Sequence, residues 1–128
     1  MAKIVLGNRP KSFKRKVTVK MLDDTTGVIH VDFVYRTRKE FGAFMDKFNK
    51  ARTERRIVAD REEFSAERQF ALGAEDDADY IMEIVGGWDL DRELTRENVM
   101  QLLDELPGAG VEIISTYRLA VVDGIVKN

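Results

Sequence analysis

Apolar residues recur along this chain at two spacings. Ala78, Ile81, Met82 and Val85 fall at i, i+3, i+4 and i+7, and Val99, Leu102, Leu103 and Leu106 repeat the pattern. That spacing puts each set on one face of a helix. GGWDL (86–90) breaks the first run and holds the chain's only Trp, and Pro107 and Gly108 break the second. The expected unit is a helical hairpin with an apolar seam. Upstream, the period shortens to two. Val17, Val19 and Met21 alternate with Lys16, Thr18 and Lys20, and Ile29, Val31, Phe33 and Tyr35 alternate with His30, Asp32 and Val34. DDTTG (23–27) reads as the turn between them, with Gly27 able to take positive φ. The pair predicts a β-hairpin with one apolar face, which needs helices or a third strand to cover it. KIVL (3–6) reads as a further short strand, and Pro10 excludes a regular helix in the segment that follows.

TRKE (37–40) has the form of a capping box, and Phe41, Phe44, Met45 and Phe48 follow at helical spacing. Their aromatic stripe is the expected cover for the hairpin. Residues 52–74 are rich in charge, and Ile57, Phe64, Phe70 and Leu72 share no clean helical face. They read as a mobile arm with a helical piece, Asp60 or Glu63 capping it. Gly73 and the acids at 75–77 are then expected to open the next helix, with Gly86 and Gly87 as its C-cap. Thr95 is the expected cap of the following helix, with Leu94 and Val99 as a hydrophobic staple. Pro107 suits the first turn of a last helix. VEIISTYRLAVV (111–122) is β-branched enough to admit a strand, but its spacing favours helix.

The fold class is therefore α+β: an N-terminal antiparallel β-hairpin or small sheet packed on a helix, then a helical C-terminal half. One domain is expected, with a β-rich part at 1–36, a helix at 37–51, the arm at 52–74 and a helical part at 75–128. A length of 128 residues fits one core. No run of apolar residues is long enough for a membrane span, and no secretory signal is evident. The absence of cysteine excludes disulfides, thiolate nucleophiles and Cys-based zinc sites, and suits a reducing cytoplasm.

The net charge of −2 conceals an asymmetry. Residues 1–20 carry seven Lys or Arg and no acid, whereas residues 75–105 carry eleven Asp or Glu against two Arg. The two patches either face each other within one copy, stand as solvated faces, or favour weak head-to-tail self-association between copies. RPKSFKRK (9–16) is basic enough to consider nucleic acid, but no DNA-binding motif accompanies it.

Catalytic chemistry is hard to assemble from these residues. His30 is the only histidine and shares a strand face with Asp32, but no Cys or second His completes a triad or a zinc site. A solvent-facing strand histidine is the preferred reading. Asp76, Asp77, Asp79 and Glu83 lack the alternating ligands and central Gly of a calcium loop and read as a solvated acidic face. There is no Gly-rich phosphate loop. No catalytic residue, metal or cofactor is expected. Trp88 reads as a loop anchor with its indole N–H on a carbonyl or acid, or else as an exposed anchor for a partner.

The segments LGNRPKSFK (6–14), VYRTRKEF (34–41), DYIMEIVGGWDL (79–90) and LTRENVMQLLDELPGA (94–109), with Tyr117 closing the pattern, resemble in order and spacing the tail assembly chaperones of long-tailed, lambdoid-type bacteriophages. The resemblance covers nearly the whole chain and is weakest over 52–74. It implies a non-enzymatic protein of the infected host's cytoplasm, absent from the mature virion. It further implies binding to the tape measure protein and help in recruiting major tail tube subunits, the latter through a longer, frameshifted form. This chain would correspond to the short form. Candidate client contacts are Ile57, Phe64, Phe70 and Leu72 on the arm, with Trp88 and Leu90 beside the helical seam. The alternatives are a tail completion or connector protein retained in the particle, and a small nucleic-acid-binding module using the basic N-terminus.

Overall fold

A computed structural model describes residues 1–126. The chain runs β1 (Ser12–Lys20), β2 (Thr26–Val34), α1 (Arg38–Ala59), α2 (Ala66–Ile84), β3 (Val85–Trp88), α3 (Arg96–Glu105) and α4 (Pro107–Asp123). The result is an α+β fold with a three-stranded antiparallel sheet in the order β1-β2-β3.

The period-two pattern forms the expected hairpin, with Val17 opposite Ile29 and Phe13 opposite Phe33. Its turn differs in one respect. Asp24, not Gly27, takes positive φ (71°), and its N–H donates to the Met21 carbonyl at 3.0 Å. Asp tolerates this conformation because its short side chain is accommodated locally. Gly27 lies in β2 opposite Val19, where a Cβ would come within 2.9 Å of Met21 Sδ.

The third strand is supplied by Val85–Trp88, so Gly87 pairs with Asp32 of β2 and Gly86 falls at a bulge in the ladder, instead of the two capping α2. Local sequence favours a stop there, but the open edge of β2 offers hydrogen bonds that a loop would leave to water. KIVL forms no strand. The ladder ends where Tyr35 N–H meets the Lys11 carbonyl (3.1 Å), so nothing lies opposite residues 3–6. The chain instead turns at Val5–Asn8, with Gly7 at φ 84°.

The capping box at Thr37 is present in both directions, with Glu40 N–H on Thr37 Oγ1 at 3.1 Å and Thr37 N–H on Glu40 Oε1 at 2.9 Å. From that start α1 runs well past residue 51 to Ala59, and α2 begins at Ala66 with Ser65 as its cap. The stretch expected as an irregular arm is two helix ends joined by residues 60–65. Its few apolar side chains share no face because they are spread over two helices and the connection between them. Gly73 is interior to α2.

The sheet's apolar face is covered by α4 and α2, and the aromatic stripe of α1 packs one layer further out. Phe44 and Phe48 meet Tyr80 edge-on, each at 5.1 Å, and Phe41 meets Tyr117 at 6.0 Å. Tyr117 is the hub. It is fully buried, touches Phe13 and Phe33 across the sheet, and donates its hydroxyl to the Val34 carbonyl at 2.9 Å while accepting from Arg36 at 3.1 Å. The expected seam between α2 and α3 forms, with Ala78, Ile81, Val99 and Leu103 buried in it. Residues 111–122 are helical, started by Pro107 and ended by Gly124 in the left-handed region (φ 65°). Among the described residues no helix is long and apolar enough to cross a membrane.

Candidate partner-binding surfaces

The C-terminal part of α1 is tied by charge to the second half of α2. Asp76 is buried and accepts from both Arg55 and Arg56, the latter at 2.9 Å. Asp79 accepts from Arg55 at 2.7 Å and from Arg96 of α3 at 3.0 Å. Burial raises the Asp79 pKa, but the hydrogen bonds from Arg55 and Arg96 outweigh it, and the carboxyl lies below its ordinary value. Planar guanidinium forks suit this bridging role. The clamp holds two helices whose tips would otherwise fray.

Beyond the clamp lies an apolar elbow. Ile57 and Val58 are exposed at the end of α1, and Phe64 and Phe70 are 80% and 81% exposed on the connection and the start of α2. Three of the four arm candidates, Ile57, Phe64 and Phe70, are thus exposed on or beside the connection between α1 and α2. Leu72 does not. It is fully buried on the same helix face as Asp76 and Tyr80, and is part of the fold instead of a contact surface. Val58 was not singled out by the sequence, because the short apolar run Ile57–Val58–Ala59 inside a charged stretch carries no periodic signal.

Trp88 and Leu90 lie at the other end of α2, about 20 Å from Phe70 at 1.5 Å per residue. They line a groove of about 620 Å³ between the β1–β2 turn and α3, together with Met21, Leu22, Leu102 and Leu106. The Trp88 indole N–H donates to the Arg92 carbonyl at 2.7 Å, which fixes the ring as a wall of the groove. The loop-anchor reading holds, since the polar edge of the ring is satisfied internally, and its face lines an open surface. Asp23, Asp91 and Glu105 stand at the rim with Arg92. Nothing in the local sequence announces the groove, since the turn and α3 are brought together only by the closed fold.

On the outer sheet face, His30 is paired not with Asp32 but with Asp89, 59 residues away. Its Nδ1 lies 2.6 Å from Asp89 Oδ2, and its backbone N–H donates to Asp89 Oδ1 at 2.8 Å. These bonds hold the Asp89 carboxyl below its ordinary pKa. The pair is exposed. Among the described residues no group of three or more His, Cys, Asp or Glu is placed to hold a metal ion. The acids expected as a solvated face are in part engaged by arginines of α1 and α3. Among the described residues no salt bridge joins the basic segment 1–20 to the acidic segment 75–105, although Lys14, Arg15 and Lys16 line one shallow pocket with Asp89.

The family model described as phage tail assembly chaperone matches residues 1–128, the full length of the chain. The chain belongs to the phage tail assembly chaperone family. Comparison with curated proteins and with solved structures finds no match. This family is generally non-enzymatic.

Proposed function

We propose that this tail assembly chaperone binds the tape measure protein through the α1–α2 elbow and holds it soluble until major tail tube subunits are recruited. The observation that supports the reading is the exposure of Ile57, Val58, Phe64 and Phe70 on a helix pair braced by buried charge. Exposed large apolar side chains on a rigid support mark an interaction site. A tape measure presents long amphipathic helices, whose apolar faces an elbow of this kind covers one turn at a time. Many modest contacts from several copies give avidity and still permit displacement by tube subunits. The chaperone acts in the host cytoplasm and leaves before the virion is complete.

Co-expression with the cognate tape measure tests this. Wild-type chaperone keeps the tape measure in the soluble fraction, and the Phe64→Ser/Phe70→Ser variant, altered only at exposed positions, loses most of that effect. A tape measure equally insoluble with and without the chaperone overturns the reading. So does stoichiometric chaperone in the mass spectrum of purified virions, which would favour a retained structural role.

A further inference from the structure

β1 is an edge of the sheet. The strand order leaves its outer side without a neighbour, and among the described residues no other backbone segment pairs with it there. Two bonds fix which groups that side presents. Tyr35 N–H donates to the Lys11 carbonyl at 3.1 Å and Met21 N–H to the Thr25 carbonyl at 2.8 Å, both in register with the β1–β2 ladder. Hydrogen-bonded positions alternate along an antiparallel pair, so the odd-numbered residues of β1 face β2. The backbone N–H and C=O groups of Ser12, Lys14, Lys16, Thr18 and Lys20 therefore point away from the sheet. An open edge of nine residues is long, and its row of free donors and acceptors is a template for a further strand.

The edge is also cationic. Val17 and Val19 are buried under the sheet, which puts Lys14, Lys16, Thr18 and Lys20 on its outer face. Lys20 has Asp24 at 3.8 Å, but among the described residues no salt bridge involves Lys14 or Lys16. Asp89, which shares a shallow pocket with them, is held by His30. Arg15 places a guanidinium on the edge line itself. Its Nη1 donates to the Lys14 carbonyl at 3.0 Å, while its Nε is buried without a hydrogen-bond partner. Arg15 also borders a hollow of about 370 Å³ at the Ser12 end of the strand, together with Phe13, Val121 and Arg38. An orphaned N–H on a guanidinium fork suits a carboxylate.

We infer that β1 accepts an extended, acid-rich segment of a partner protein as a fourth strand. Main-chain hydrogen bonds to the even-numbered residues supply affinity. Carboxylates at alternate positions of the segment lie beside Lys14 and Lys16, which stand about 6.5 Å apart along the strand, and a further carboxylate reaches Arg15. The same charges select against other occupants. A second β1 would set like charge against like. The acid-rich stretch 75–105 of another copy is mostly helical and cannot add as a strand. Asp32 and Asp89 on the outer sheet face repel a phosphate backbone lying across it, whereas an added strand lies on the far side of β1 from both. Raised salt weakens the contact, because the lysines are exposed.

Fluorescence anisotropy of a labelled octapeptide of alternating glutamate and valine, titrated with the purified full chain, tests this. The peptide binds, and an octapeptide of alternating lysine and valine does not. Lys14→Glu combined with Lys16→Glu, both at exposed positions, weakens binding by at least about tenfold with an unchanged circular dichroism spectrum. N-methylation of the peptide's backbone nitrogens keeps every charge, removes the main-chain donors and weakens binding to a similar degree. With the unmodified peptide at saturation, NMR hydrogen exchange slows at the amides of Lys14, Lys16 and Thr18 by at least about tenfold. Equal binding of the N-methylated peptide overturns the inference, since charge alone would then suffice. Unslowed edge amides overturn it too, as does a single-stranded oligonucleotide that binds where the peptide does not. A Phe64→Ser/Phe70→Ser chain that loses the peptide also overturns it, because the elbow would then be the site.

Discussion

The same substitution at two helical glycines should move stability in opposite directions. Gly73 is interior to α2, and a Cβ built there meets nothing within 4 Å. Alanine at that position removes the entropic cost of glycine in a helix, about 0.5–1 kcal/mol. For a domain of this size that raises Tm by roughly 2–4 °C. Gly110 lies in the first turns of α4, where a Cβ would stand 2.3 Å from Leu103 Cδ2. Leu103 is buried between α2, α3 and α4 and has little room to rotate away. Overpacking of this kind costs about 1–3 kcal/mol, and the helical gain offsets only part of it, leaving a net loss of about 1–2 kcal/mol. Urea or thermal unfolding of Gly73→Ala and Gly110→Ala measures both. Combining Gly110→Ala with Leu103→Ala should recover part of the penalty, with a coupling of about 0.5–3 kcal/mol. A neutral or destabilising Gly73→Ala refutes the argument, because it would mean that α2 does not run through residue 73. An unchanged Gly110→Ala would mean that α3 and α4 do not approach as closely as described.

Tyr117→Phe keeps the ring contacts but leaves the Val34 carbonyl and Arg36 without the hydroxyl, and should lower unfolding free energy by about 1–2 kcal/mol in urea titration. Asp76→Asn leaves Arg55 and Arg56 without a carboxylate between α1 and α2; hydrogen exchange should show residues 52–72 opening more readily while the sheet amides keep their protection. The depressed Asp79 pKa fixes the sign of the acid response: its stabilising contribution is complete above the unfolded carboxylate value near pH 4 and is lost as pH falls through the lower folded value. Asp79→Asn should therefore flatten stability against pH below about 4 and leave the profile near neutrality parallel to wild type.

Periodicity and capping chemistry were enough to locate the hairpin, the start of α1 at Thr37, the α2–α3 seam and the Pro107 start of α4, because each rests on residues within a few positions of one another. The misreadings share a cause. Gly86 and Gly87 look like a stop, yet the edge of β2 recruits them into a strand, which only the closed fold can do. The 52–74 stretch looks irregular because its helices are held by Arg55, Arg56, Asp76 and Asp79, and ion pairs leave no apolar period to read. Of the candidate contacts, the exposure of Phe64 and Phe70 followed from their lack of a shared face. The burial of Leu72 did not, since it depends on where α2 begins. His30 has a carboxylate partner, but it is Asp89 and not the neighbouring Asp32, a pairing across 59 residues that no local spacing encodes.

The pairing of Phe33 with Val85 has a consequence for how the polypeptide is made. The two partners are about fifty positions apart, and closure of so long a loop is a slow, late event. Tyr117, which seals Phe13, Phe33 and Phe41 together, comes later still. During translation the greasy side of the first two strands emerges first and its lid last, so a ribosome paused before position 117 displays an unfinished interior. For that interval the nascent chaperone is itself a molecule in want of shelter.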